Sequence, residues 1–110
     1  MTEQLQKEAR VAILGEKLRA NKEHPPRFNS PHEGYAVILE EYEEASEEQR
    51  YFKASLDSLW IAVRSDRDKE VLLRILNTMR ERAINLVMEA IQVAAMTQKM
   101  IDTVEGMGDG

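Results

Sequence analysis

A chain of 110 residues with 20 acidic against 15 basic side chains carries a net charge of −5, which attracts cations and gives little electrostatic support for nucleic-acid binding. It has no cysteine, so disulfides, thiolate catalysis and cysteine-ligated zinc are excluded, and a cytoplasmic protein is expected. The length suits one domain, residues 1–110, and neither an apolar signal core in "MTEQLQKEAR" nor a run of ~18 apolar residues points to export or to a membrane.

Pro25, Pro26 and Pro31 lie together, as do Gly106, Gly108 and Gly110, and the long stretches between these clusters are helical in pattern. The first helix is expected over about residues 3–21, with Leu5, Ala9, Ala12 and Val11, Leu14, Leu18 forming a mixed apolar face. "NKEHPPRFNS" ends it, because proline cannot continue a helix without strain, so the N-terminal unit of helix and loop covers residues 1–29.

"SPHE" predicts the next start: Ser30 as N-cap, Pro31 at the first helical position and Glu33 completing a capping box. Tyr35, Ile38, Tyr42, Ala45, Gln49 and Phe52 then recur at spacings of three and four, onward through Leu56 and Leu59 to Val63. This is the seam of a bundle helix running to about Arg64. "SDRD" supplies a tight turn with Ser65 and Asp66 as N-cap candidates. A third helix follows, its seam read as Leu72, Leu76, Met79, Ala83, Leu86 and Ala90, continuing to Val104. Residues 105–110 are expected as a flexible tail.

The expected fold is therefore all-α: an N-terminal helix and a long antiparallel hairpin over residues 30–104. At 1.5 Å per residue each hairpin helix is roughly 50 Å long. From Ala83 to Met96 only Asn85, Glu89 and Gln92 are polar, and a helix apolar on most sides needs partners on most sides. Pairing of copies into a four-helix-bundle homo-oligomer, dimer or tetramer, is the economical solution.

"EEYEEASEE" places Glu40, Glu41, Glu43, Glu44, Glu47 and Glu48 within nine residues, with like-charge i,i+4 pairs that disfavour an isolated helix by about 0.2–0.5 kcal/mol each. Such a run usually forms a solvated face. Here, counting 22 residues back from the turn at Asp66 reaches Glu44, and counting 22 forward reaches Met88, so "EEYEE" lies level with "EAIQ". The i,i+3 spacing puts Glu41 and Glu44 on one face and Glu89 and Gln92 on another, facing it. Three carboxylates and an amide oxygen form an oxygen-only anionic set suited to Mg²⁺ or Mn²⁺, and Mg²⁺ commonly binds substrate phosphates alongside one or two carboxylates.

"EEYEE" followed by "EAIQ" resembles the EExxE and ExxD pair of the MazG-like all-α nucleoside triphosphate pyrophosphatases, and "SPHEGYAVILEE" with "EAIQVAAM" is similar to their phage and prophage branch, over residues 30–104. The resemblance implies Mg²⁺-dependent hydrolysis of a nucleoside triphosphate to the monophosphate and pyrophosphate, a housecleaning of nucleotide pools. It also implies Glu41, Glu44 and Glu89 as catalytic metal ligands, with Glu40 beside them. Gln92 stands where the family motif has Asp, and its amide oxygen is a possible ligand. Lys99 falls where the family commonly has a substrate-contacting Asn, implying a phosphate contact; the alternative reading is a solvated lysine near the helix end.

Arg80 and Arg82, about two turns before Glu89, are phosphate-binding candidates or neutralisers of the acidic run. His24 and His32 lack a third ligand and suit loop or capping roles. Tyr35, Tyr42, Phe52 and Trp60 are more often core than base-stacking groups, and Gln49 suits a buried amide that sets register. Two functional classes follow: a nucleotide pyrophosphohydrolase, or a self-associating helical interaction module of phage type that keeps the fold without the chemistry.

Overall fold

In the computed structural model, which describes residues 2–108, three helices make up nearly all of the chain: α1 (Glu3–Asn21), α2 (Pro31–Arg64) and α3 (Lys69–Glu105). No strand occurs among the described residues, and none of the helices is long and apolar enough to cross a membrane. α2 and α3 form the expected antiparallel hairpin, and α1 packs on α3 alone. Glu105 is still helical and Gly106 closes the helix by donating its N–H to Asp102; residues 109 and 110 of the expected tail lie outside the described residues.

The start of α2 follows its sequence signature with one displacement. Ser30 Oγ accepts the Glu33 N–H at 3.2 Å and Pro31 takes the first helical position. The Glu33 carboxylate does not return to Ser30. It accepts from the Asn29 backbone N–H at 3.3 Å and from Asn29 Nδ2 at 2.9 Å, two donors where Ser30 offers one, and so ties the preceding loop to the helix.

At the hairpin turn the expected caps, Ser65 and Asp66, are spent on closing α2. The N–H groups of Ser65, Asp66 and Arg67 bond the carbonyls of Ile61, Val63 and Ala62, with Asp66 in the left-handed region at φ 53°, which Asp tolerates better than most residues. The first residue free to cap α3 is Asp68, whose carboxylate accepts the Val71 N–H at 3.1 Å.

The phase of the seam also differs from the expectation. Ile38, Ala45, Phe52 and Leu59 are half-buried as expected, but the alternate positions turned toward α3 are Gly34, Glu41, Glu48, Ser55 and Ala62, one residue before the predicted series. On α3, Ile75, Arg82, Glu89, Met96 and Thr103 likewise replace Leu76, Ala90, Thr97 and Val104, while Ala83 stays half-buried. Small residues decide this: a Cβ on Gly34 would collide with Met100 Sδ, and Ala62 and Ala95 are among the few buried residues, so the helices approach closely along their small side. Tyr35, Tyr42, Gln49, Leu56 and Val63 are consequently exposed, and Gln49 is not a buried register amide.

The hydrophobic interior of the single chain is small: among the described residues, Phe28, Ala62 and Ala95 are the buried apolar side chains. Trp60 and Met88 are each 60% exposed, and Val87 and Ile84 are also open. The molecule extends 65 Å with a radius of gyration of 18.6 Å, against about 13 Å for a compact domain of ~100 residues.

α1 does not dock through Leu5, Val11, Leu14 and Leu18, which are exposed, but through Ile13, Glu16, Lys17 and Ala20. Two polar ties hold it: an ion pair from Lys17 to Asp102, and a hydrogen bond from Gln92 Nε2 to Glu16 Oε1 at 2.7 Å. The loop returns to α3 through buried Phe28, whose backbone N–H donates to Thr103 Oγ1 at 2.9 Å, while that hydroxyl donates to the Lys99 carbonyl at 2.8 Å. Thr103→Val keeps the shape of a 6%-exposed side chain but orphans the Phe28 N–H, so a loss of about 1–3 kcal/mol is expected, read as a lower urea midpoint at unchanged slope.

Candidate metal centre and adjoining cavity

The level deduced by counting from the turn is realised: one carboxylate oxygen from each of Glu41, Glu44 and Glu89 lies within 4.8 Å of the others. The seam phase is what brings them together, because Glu41 and Glu89 occupy interface positions rather than flanking ones. Both are half-buried and Glu44 is exposed. None of the ion pairs among the described residues reaches any of the three.

Crowding shows in their acidities. Burial, followed by repulsion from Glu44, Glu89 and Glu40, holds the Glu41 carboxyl above the ordinary carboxylate value. Burial and then Glu44 raise Glu89 in the same way, with Glu48 adding to it. Each shift reflects first the partial desolvation of the carboxylate and then its repulsion from neighbouring anions. A divalent cation of the Mg²⁺ or Mn²⁺ kind suits this donor set, because all of its candidate ligands are hard carboxylate oxygens gathered within 4.8 Å of one another.

The other predicted residues are placed as follows. Glu40 is exposed, outside the trio. Gln92 sits one turn beyond Glu89 but directs its amide nitrogen to Glu16, whose carboxylate is also held by Arg19 through Nε at 3.0 Å and through a second guanidinium nitrogen. That Arg19 contact, aided by Gln92, keeps Glu16 more acidic than usual. Arg82 faces Glu48 at 3.7 Å and lies over the Tyr51 ring at 4.7 Å, the neutralising role, and Arg80 is exposed with Glu81 4.0 Å away. Neither arginine lines the cavity beside the trio.

That cavity, of about 420 Å³, is bounded by α1, the loop and both hairpin helices. Glu41 and Gln92 line it, as do Met96 and Lys99 on the following turns of α3, with Phe28 from the loop and Arg19 from α1. Lys99 is buried, its Nζ 4.5 Å from the Phe28 ring centroid. Glu16, Arg19, His24 and Phe28 were not legible as wall residues. They come from a helix and loop whose placement no spacing rule predicts, and the clustered prolines announce only that a loop is there.

Compared with protein-family models, curated proteins and solved structures, the chain matches none.

Proposed function

We propose that this chain is a Mg²⁺- or Mn²⁺-dependent nucleoside triphosphate pyrophosphohydrolase. The observation that supports it most directly is the convergence of Glu41, Glu44 and Glu89, without a lysine or arginine partner, at the edge of a cavity that also holds a buried lysine. A divalent cation would relieve the repulsion among these carboxylates, and an all-oxygen set suits a metal that also holds phosphates.

Glu41, Glu44 and Glu89 are assigned as its ligands. A bound ion of this kind neutralises phosphate charge and lowers the pKa of a coordinated water. The chain itself supplies orientation. Glu41 and Glu89 are fixed by the hairpin seam, while Glu44 is freer to adjust. Gln92, anchored by Glu16, lies at the wall between the trio and Lys99, and Lys99 contacts the substrate. The resemblance of "EEYEE" and "EAIQ" to the MazG-like motifs agrees with these roles.

We also assign the exposed apolar surface to self-association into a helical-bundle homo-oligomer, a dimer or tetramer. Trp60, Val87 and Met88 on a 65 Å rod with almost no interior are the features that favour it. The same surface would serve a non-catalytic helical module, so chemistry separates the two readings. With Mg²⁺ or Mn²⁺, a panel of NTPs and dNTPs is expected to yield pyrophosphate in equal amount to monophosphate, with EDTA abolishing release. Oligomerisation without metal-dependent release from any of them favours the module.

A further inference from the structure

Resting on the reading of the trio as the phosphate end of a nucleotide site, we infer that Lys99 reads the base. It selects those carrying a keto oxygen on the edge where others carry an amino group: guanine, uracil and thymine over adenine and cytosine.

Lys99 is only 8% exposed, a degree of burial rare for lysine, and its ammonium faces the Phe28 ring without an ion-pair partner among the described residues. The ring face accepts no conventional hydrogen bond, so the ammonium's N–H donors are available to acceptors from a ligand. The other cations of the cavity differ. Arg19 is bound to Glu16, and Arg27 shares the field of Asp102. Lys99 thus has a largely buried side chain whose ammonium stands at the cavity wall, open to an acceptor from a ligand.

Its place along α3 says which part of the ligand arrives there. Gln92, Met96 and Lys99 lie on one stripe at spacings of four and three, and Lys99 is ten residues past Glu89, roughly 15 Å along the helix axis. With phosphates anchored at Glu41 and Glu89, the rest of a nucleotide extends along this stripe. The wall there is mixed: Val37, Met96 and Phe28 are apolar groups suited to the faces of a base, alongside the polar Asn29 and Glu33. An ammonium donates and never accepts, so it bonds the O6 of guanine or the O4 of uracil and thymine, and opposes the amino groups of adenine and cytosine at the same positions.

The test is equilibrium binding of Mn²⁺ complexes of GTP, UTP, ATP and CTP analogues with a non-hydrolysable α–β bridge, alongside pyrophosphate release from the parent nucleotides. The wild-type chain is expected to bind the GTP and UTP analogues about tenfold or more tightly than the ATP and CTP analogues. In Lys99→Met, which keeps the aliphatic stem, that ratio falls to within about twofold, while Lys99→Arg preserves it. If circular dichroism shows that Lys99→Met does not fold, Lys99→Gln takes its place, because an amide that both donates and accepts must also flatten the ratio. Equal wild-type affinities overturn the inference, as does equal weakening of all four analogues by the substitution, which assigns Lys99 to the phosphates. Keto preference without pyrophosphate release sinks the hydrolase reading and leaves the base assignment standing, whereas release without base preference does the reverse.

Discussion

Glu41→Gln is expected to lower metal-dependent pyrophosphate release by on the order of 10³-fold, and at the same time to make the metal-free protein more stable. The first effect follows from removing one of three carboxylates that converge on a common point. The second follows because none of the ion pairs among the described residues reaches them. Replacing one anion by an amide of the same shape relieves repulsion from Glu44 and Glu89 worth about 0.2–0.5 kcal/mol for each like-charged neighbour. A residue that served only the fold would not raise stability while abolishing turnover, so the pair of outcomes is more diagnostic than either.

The pH dependence has the same origin. Glu41 and Glu89 bind protons more tightly folded than unfolded, because burial and neighbouring carboxylates disfavour their anions. The native state therefore holds more protons between the unfolded carboxylate value, about 4.3, and the raised folded values. Metal-free stability from these two groups is full below that window and falls as pH rises through it. Glu16 and Asp102, held acidic chiefly by Arg19 and Lys17, run the other way, and their contribution is lost only as pH falls through their lowered values, beneath the window. Thermal melts without metal should thus show stability rising on mild acidification from neutrality, then falling. Saturating Mg²⁺ inverts the first limb, since binding displaces those protons.

The second large effect concerns association. A chain whose buried apolar residues are Phe28, Ala62 and Ala95 has too little interior to hold 34- and 37-residue helices together in isolation, and the apolar area it needs is on its surface. Its apparent stability should therefore depend on concentration, by about 1.4 kcal/mol per tenfold dilution for a dimer. Trp60 is the sole tryptophan and is 60% exposed in the single chain, so its emission should shift to the blue on association and to the red on dilution. Val87→Asp places a charge in the proposed contact. The expected product sediments as a monomer and unfolds at lower denaturant, and wild-type sedimentation as a monomer at high concentration would remove the basis for the assembly.

Helix boundaries were legible in the sequence because they rest on local chemistry: Ser30 and Pro31 at one end, and the prolines that stop α1. The turn was legible in place but not in its cap, since Ser65 and Asp66 were needed to close the preceding helix. Seam phase was the main misreading. The series from Tyr35 to Val63 and the series from Gly34 to Ala62 share the same spacing, and the first is more apolar, so hydropathy selects it. Packing selects the second, because Gly34, Ala62 and Ala95 let the helix axes approach.

The trio was nevertheless anticipated. Axial level in an antiparallel hairpin follows from counting, whereas rotation about the axis does not, and the observed rotation moved Glu41 and Glu89 toward one another. Gln92 was placed at the right level but is occupied by Glu16, a residue of α1 whose docking depends on tertiary contacts alone. Arg82 was assigned to phosphate or to the acidic run, and the seam turns it to Glu48.

Calorimetric titration of the metal-stripped protein with Mn²⁺ at neutral pH tests the central claim most directly. Saturable binding is expected, accompanied by proton release and strongly weakened in both Glu41→Gln and Glu89→Gln. Absence of binding, or binding that either substitution leaves unchanged, would contradict a metal centre formed by Glu41, Glu44 and Glu89.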